Sequence, residues 1–210
     1  MQLQLDHIQL DYIHSHSSQV WNTNLLAESA QWIHIIAASG KGKSSLVQIL
    51  YGLNPTYRGN YIVNNYSAKT MSIEAWCELR AQQLSIVFQD LQLLSHQSAF
   101  DNIEIKRCLH EFYPAQKISR FAEKLGISHT LQRPIHTLSY GERQRIAIIR
   151  ALMQPFSWLI LDEPFSHLDE ENALKAATLI SNECKARQAG IIKLDLGNDT
   201  FFPYHKIMYL

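Results

Sequence analysis

The sequence predicts an α/β fold with a mostly parallel sheet, and three observations carry that expectation. Short apolar runs alternate with helical patterns along the chain. The runs are near-continuously apolar rather than alternating, as in strands covered on both faces. Between about residues 90 and 150 no strand pattern stands out, and that stretch reads as all-helical.

The elements follow in order. Residues 33–37 form the first buried run, ending in small residues ahead of a tight turn, and 46–50 then take helical spacing. Runs 84–88, 158–161 and 190–194 are further strands, and 207–210 is the last. Helices are expected over 72–81, 117–125, 142–153 and 170–188. No repeat, low-complexity tract or charge block marks a linker. The expectation is one domain over 1–210, with a core from 1–89 and about 154–210 interrupted by a helical insertion at about 90–153.

Composition narrows the class. The 210 residues carry 19 Lys+Arg against 19 Asp+Glu, a formal net charge of zero. That balance supplies no footprint for nucleic acid and no polybasic signal for a membrane surface. The apolar stretches fall far short of the roughly 20 residues that span a bilayer, and the N-terminus lacks a signal-peptide pattern. Cys77, Cys108 and Cys184 are scattered, odd in number and without metal spacing. They are expected to be buried or half-buried thiols in a reducing compartment. His14 and His16 sit in a polar turn with no acid or thiol close by in sequence, so they read as loop residues rather than ligands. A soluble, cytosolic protein is the expectation.

Residues 37–45 read Ala-Ala-Ser-Gly-Lys-Gly-Lys-Ser-Ser, between an expected strand and an expected helix. Gly40 and Gly42 allow the backbone to turn its N–H groups inward toward phosphate. Ser39, Lys41 and Ser45 complete the loop, and the helix that follows adds its free donors and positive dipole end. Lys43 would reach the β- and γ-phosphates, and the Ser44 hydroxyl would ligate Mg²⁺. Ala37 stands where the usual pattern begins with glycine.

Asp162 and Glu163 end the apolar run 158–161, at the strand end where open α/β sheets bind ligands. Such a pair is costly unless it holds a metal or moves protons. Asp162 suits the Mg²⁺ shell, partly through water, and Glu163 suits the general base that activates the attacking water. Taken alone, the pair also fits a cap on the next segment. Leu138-Ser139-Tyr140-Gly141-Glu142 opens an amphipathic stretch, with Ser139 as N-cap and Glu142 completing a capping box. In isolation this pentapeptide is simply a helix start.

Order and spacing add more. The phosphate loop, Gln89, residues 138–142, the acidic strand end and Ser166-His-Leu-Asp169 stand in the order of the ATP-binding-cassette ATPases, which the chain resembles from about residue 5 to residue 210. The resemblance implies a P-loop core of that type, with N-terminal antiparallel strands and a helical subdomain. Tyr12 resembles the aromatic that stacks on adenine, though it also fits an aromatic at a strand edge. Gln89 resembles the residue joining metal and water to the helical subdomain. Ser139, Tyr140, Gly141 and Glu142 would act in trans on the ATP of a second subunit, with Ser166 and Asp169 in the loop beside it. The implied partners are a second copy or another cassette ATPase, enclosing ATP and Mg²⁺, and an integral membrane permease received in a groove near Gln89. No nucleic acid is implied. The implied location is cytoplasmic, on the inner face of the cell membrane through that partner. The loop 93–103 resembles the bacterial subfamily of lipoprotein release, macrolide export and cell division. The shortness of the chain adds the expectation that the membrane part is a separate chain.

Two departures qualify the resemblance. The family's switch histidine falls, by counting along 190–199, on Asn198, which can bond a γ-phosphate but cannot carry charge or shuttle a proton. Tyr140 replaces the commoner glycine. The leading expectation is an ATPase that powers a membrane partner. The alternative is a slow or non-hydrolysing ATP-gated clamp, paired with a different cassette.

Overall fold

A computed structural model of the chain describes residues 1–13, 18–110 and 112–210. His14 and His16 lie outside the described residues. The expected α/β fold is present, built from two sheets with helices around them.

The first sheet is antiparallel, in the order β2-β1-β4-β5, with β1 at Leu3–Gln9, β2 at Asn24–Ala27, β4 at Arg58–Val63 and β5 at Tyr66–Ser67. In β1 the side chains alternate, with Leu3 and Leu5 buried and their neighbours Gln4 and Asp6 only half-buried, as a sheet with one covered face requires. The second sheet is parallel, in the order β6-β7-β8-β3-β9: Leu84–Val87, Trp158–Asp162, Gly190–Asp195, Trp32–Ile36 and Lys206–Tyr209. Its four inner-reading strands correspond to the predicted apolar runs. The pairings Asp162 with Leu194 and Ile36 with Asp195 bring the ends of β7, β8 and β3 level along one edge. That edge is where ligands sit in such sheets.

The register divides the side chains between two cores. Ile33, Ile35, Ile160 and Leu194 face α1 (Lys43–Leu50) and the antiparallel sheet, joining Leu3, Leu5 and Leu46. Trp32, Leu159, Leu161 and Ile191 face the other way, onto α5 (Tyr140–Leu152) and α6 (Glu170–Arg187). α3 (Ala99–Leu109) and α4 (Gln116–Lys124) complete that second core through Ile103, Ile118 and Phe121. Full burial of each such side chain contributes about 1.5–3 kcal/mol. α2 (Ile73–Gln82) lies before β6, capped by Ser72, whose Oγ accepts from the Ala75 N–H.

Local chemistry sets the two helices nearest the site. α5 begins with the predicted capping box: the Glu142 N–H donates to Ser139 Oγ at 3.3 Å, and the Ser139 N–H donates to Glu142 Oε2 at 2.8 Å. α6 begins at Asp169, whose Oδ1 accepts from the Asn172 N–H at 2.8 Å, with Glu170 and Glu171 in its first turn favouring the dipole. It ends at Gln188, which takes the left-handed conformation (φ 54°) usual of a helix stop.

One expectation is corrected. Cys77 and Cys108 are exposed, because they fall on the outer faces of α2 and α3; Cys184 alone is buried, and burial pushes its thiol up to about 12. A second polar feature was not foreseen. His34 and Lys193, both in strands that read as apolar, are fully buried side by side on the α6 face of the sheet. Lys193 pairs with Asp195 and Asp199, while His34 stacks on Tyr204 with ring centroids 4.5 Å apart. Among the described residues, no helix is long and apolar enough to cross a membrane.

Candidate active site

The phosphate loop joins the end of β3 to the start of α1. Gly42 (φ 91°) is required twice over: its backbone is left-handed, and a Cβ there would sit 2.2 Å from Ile13 Cδ1. Gly40 (φ 78°) is required by conformation alone, since a Cβ there would meet nothing within 4 Å. Trp21 steadies the turn by donating its indole N–H to the Lys41 carbonyl at 3.1 Å. α1 has neither a side-chain cap nor an acidic residue in its first turn. Its first N–H groups therefore face outward as a positive helix end, suited to an anion. Ser39 is exposed on the loop and Ser44 in the first turn of α1. Tyr12, 66% exposed, lays its hydroxyl 2.9 Å from Ser45 Oγ.

Lys43 does not point to solvent. Its ammonium donates to the Ala37 carbonyl at 3.1 Å and pairs with Glu163 Oε1 at 3.3 Å. Gln89, just past β6, donates from Nε2 to Glu163 Oε2 at 3.4 Å. Two residues from separate parts of the sequence, Lys43 and Gln89, thus converge on the Glu163 carboxylate.

The Glu163 backbone is itself unusual, with φ 47°. A non-glycine residue in that region stores about 1–3 kcal/mol and persists only when its surroundings hold it there. Its N–H donates to the Leu194 carbonyl at 2.9 Å, and its carbonyl accepts from Ser166 Oγ and from Gln144 Nε2, each at 3.1 Å. Gln144 is buried on α5, and its Oε1 accepts from the His167 N–H at 3.3 Å. It ties the helix opened by Ser139 to the acidic strand end. Sequence reasoning passed over Gln144 because a single amide inside an apolar helical pattern carries no signal of its own.

Asp162 lies beside Glu163, and its buried Oδ1 has no hydrogen-bond partner among the described residues. Burial, followed by the charges of Glu163 and Asp90, raises its carboxyl to about 6, with Lys43 opposing. An orphaned carboxylate oxygen that shares a cavity with an exposed serine hydroxyl has the hard-oxygen chemistry that fits a divalent cation. Ser44, Asp162 and Gln89 all line one cavity of 1020 Å³ that runs from the phosphate loop to the space between α2 and α3.

The other predicted residues fall into two groups. Ser139 and Tyr140 are exposed at the start of α5, and no hydrogen bond or ion pair joins residues 139–142 to residues 37–45 among the described residues. Gly141 packs tightly, since a Cβ there would lie 3.0 Å from the His167 carbonyl. Tyr140 makes contacts that glycine could not: its hydroxyl donates to the Gln89 carbonyl at 2.9 Å, and its ring lies 4.2 Å from that of His167. Ser166 and Asp169 serve locally, on the Glu163 carbonyl and the α6 start. Asn198 is exposed and three residues beyond the last residue of β8, with Leu196 and Gly197 between.

A phosphate loop, an acidic strand end and a glutamine that meet at one carboxylate define a nucleotide-hydrolysing cassette. The chain belongs to the ABC transporter family, whose model matches residues 20–166, and it is the ATP-binding cassette, the ATPase part, of such a transporter. It is 35% identical to the lipoprotein-releasing system ATP-binding protein LolD of Saccharophagus degradans over 173 residues, 80% of this chain and 75% of that one. It is 30% identical to the macrolide export ATP-binding/permease protein MacB of Pasteurella multocida over 75% of this chain but only 25% of that longer protein. The fold matches the dimeric cassette MJ0796 with a TM-score of 0.80 at 19% identity, covering 93% of this chain and 88% of the other. The post-hydrolysis form of MJ0796 bound to ADP and Pi matches with a TM-score of 0.81 over 99% of this chain and 94% of that one.

Proposed function

We propose that the cassette hydrolyses ATP with Mg²⁺ at Lys43, Ser44, Gln89, Asp162 and Glu163, between two cassettes that close head to tail, and that it drives a separate membrane permease. The convergence of Lys43 and Gln89 on Glu163 carries this reading. Lys43 would neutralise the β- and γ-phosphates, the α1 N-terminus would hold their oxygens, and Tyr12 would stack on the base. Mg²⁺, held by Ser44 Oγ and by Asp162 through water, would offset charge on the phosphate oxygens. Gln89 would position the attacking water and Glu163 would accept its proton. The water oxygen bonds to the γ-phosphorus as the bond to the bridging oxygen breaks, releasing ADP and phosphate.

Ser139 and Gly141 of one subunit would complete the phosphate site of the other, with Ser166 and Asp169 in the loop between. Because ATP then binds the closed pair more tightly than the open one, binding and hydrolysis drive opposite motions. We read the segment of about 90–153 as the arm that transmits them, and the inner face of the cell membrane as the location, reached through the permease. The relatives named for lipoprotein release and macrolide export favour work on a substrate chosen by that membrane partner.

Asn198 favours a second reading, a slow clamp. The loop after β8 carries no histidine before His205, so no side chain between Asp195 and Tyr204 can shuttle a proton at neutral pH as imidazole does. A wild-type rate that Asn198→His leaves unchanged would remove the slow reading. The ATPase reading is tested by phosphate release from the purified protein with Mg·ATP. Release should vanish in Lys43→Ala and on chelation of Mg²⁺; release that survives Lys43→Ala would refute it.

A further inference from the structure

The loop that follows β8 is clipped back onto the sheet beside the acidic strand end. Lys193 gathers two carboxylates around one buried ammonium: Asp195 on its own strand and Asp199 from the loop. Asp199 is shared further, since its Oδ1 accepts from the Phe201 N–H at 3.0 Å and from the Tyr204 hydroxyl at 2.9 Å. His205 then closes the loop on β3. Its N–H donates to the Trp32 carbonyl at 2.8 Å, and its Nδ1 accepts from the Trp32 N–H at 3.0 Å. The clip also reaches the turn after Glu163. The Lys193 ammonium lies 5.3 Å from the centre of the Phe165 ring, and the Phe201 ring meets Phe165 edge-on with centroids 5.0 Å apart.

The same strand end holds the backbone of Glu163. The Leu194 carbonyl, next along the chain from Lys193, accepts from the Glu163 N–H at 2.9 Å. β8 ends one residue later, at Asp195, so side chains rather than further ladder bonds steady that carbonyl from the loop side. Stability alone does not account for so polar a cluster inside an apolar sheet. The desolvation of a buried ion pair roughly offsets its attraction, and apolar side chains of similar volume often serve a fold equally well. Glu163, two residues before Phe165, has the left-handed backbone (φ 47°) that persists only where its surroundings hold it.

We propose that Lys193 and Asp199 are positioning residues for Glu163: their buried pair, acting through Leu194 and Phe165, fixes the backbone from which the Glu163 carboxylate reaches the attacking water. The inference rests on the reading of Glu163 as the base. No hydrogen bond or ion pair joins Lys193 or Asp199 to Lys43, Ser44, Gln89 or Glu163 among the described residues. Their effect therefore falls on the chemical step. A misplaced base slows proton transfer, while the phosphate loop still takes ATP.

The test compares the wild type with Lys193→Met/Asp199→Asn in the full chain. These substitutions remove one positive and one negative charge, and the new amide oxygen still accepts from the Phe201 N–H and the Tyr204 hydroxyl. Phosphate release with Mg·ATP should show kcat lowered about tenfold or more, with KM for ATP within twofold. Backbone amide exchange in the nucleotide-free chain should be about tenfold faster at Glu163 and unchanged at Ile160 and Ile192. An unchanged kcat, a change in KM alone, or faster exchange spread evenly over β7 and β8 would each overturn the proposal, the last by assigning the pair to stability. Tyr204→Phe keeps the ring on His34 and removes one bond to Asp199, so it decides the matter should the double variant not fold. Its kcat should fall about two- to tenfold at constant KM, and an unchanged kcat would overturn the proposal. Exchange needs no turnover, which keeps the two readings apart. Selective loosening at Glu163 in a chain whose wild type releases no phosphate faults the ATPase reading alone; wild-type release with even or unchanged exchange faults the positioning role alone.

Discussion

Lys43 and Glu163 form a buried ion pair, Nζ to Oε1 at 3.3 Å, with each side chain only 8% exposed. The cation proposed to bind phosphate and the carboxylate proposed as base thus hold each other. A phosphate entering the loop must take a place on an ammonium already shared between Glu163 and the Ala37 carbonyl. In the proposed mechanism, ATP binding would draw Lys43 from Glu163 and so free the carboxylate to act as base.

That pair sets a measurable coupling. Lys43→Ala leaves a buried carboxylate without its counter-ion and should cost about 3 kcal/mol, since removing one partner of a buried pair is costlier than removing both. The double variant Lys43→Ala/Glu163→Gln should recover most of the loss. Urea unfolding of the four proteins gives the cycle; additive effects would show that the pair contributes nothing.

The two glycines of the phosphate loop should separate. Gly40→Ala meets open space and bears only the left-handed strain of about 1–2 kcal/mol. Gly42→Ala adds a clash with Ile13 and Trp21. It should lose more stability than Gly40→Ala and bind ATP far more weakly. Thermal unfolding with and without Mg·ATP ranks them, and equal losses would mean that the Ile13 contact yields freely.

Tyr140 donates its hydroxyl to the Gln89 carbonyl, and on the proposed mechanism it would position Gln89 rather than touch substrate. Tyr140→Phe removes one hydroxyl at an exposed site and should hardly change the fold. Loss of one hydrogen bond, about 0.5–1.5 kcal/mol, should lower kcat about two- to tenfold while KM for ATP stays within twofold. A change in KM alone would place Tyr140 in binding instead.

Two buried groups give opposite pH slopes. Burial, reinforced by Lys193 and opposed by Asp199, lowers His34 from 6.5 to about 4. The folded chain keeps His34 neutral where the unfolded chain protonates it, so its contribution is full above pH 6.5 and is lost as pH falls toward 4. Asp162, raised from 3.8 to about 6, works the other way: its contribution is full below pH 3.8 and is lost as pH rises through 6. Between about pH 4 and 6 the slopes oppose each other, and wild-type stability in EDTA should be nearly flat. His34→Leu should uncover the Asp162 slope, a fall of up to about 3 kcal/mol as pH rises across that window. Asp162→Asn should uncover the reverse. Urea midpoints across this pH range, unchanged in slope by either substitution, would count against both assignments.

Much of the parallel sheet could be read in advance, because its strands are continuous apolar runs bounded by breakers, and residues 158–161 look like nothing else. The phosphate loop, Asp162 and Glu163 could be read for the same local reason. Three things could not. The left-handed backbone of Glu163 has no residue signature, since glutamate is not the residue that usually adopts it. The network of His34, Lys193, Asp195 and Asp199 hides inside strand patterns, where single polar residues look like noise until pairing places them side by side. A basic groove joins residues 80, 106 and 150, and only the packing of α2, α3 and α5 brings them to one cavity. Neutral overall composition conceals a local charge of this kind.

On the proposed mechanism, Glu163 takes the proton from water in a site closed by a second cassette. Glu163→Gln measured with Mg·ATP by sedimentation and by phosphate release tests it directly. A stable ATP-bound dimer is expected, with a loss of phosphate release of about 100-fold or more. Release at the wild-type rate, or a chain that stays monomeric with ATP, would contradict it.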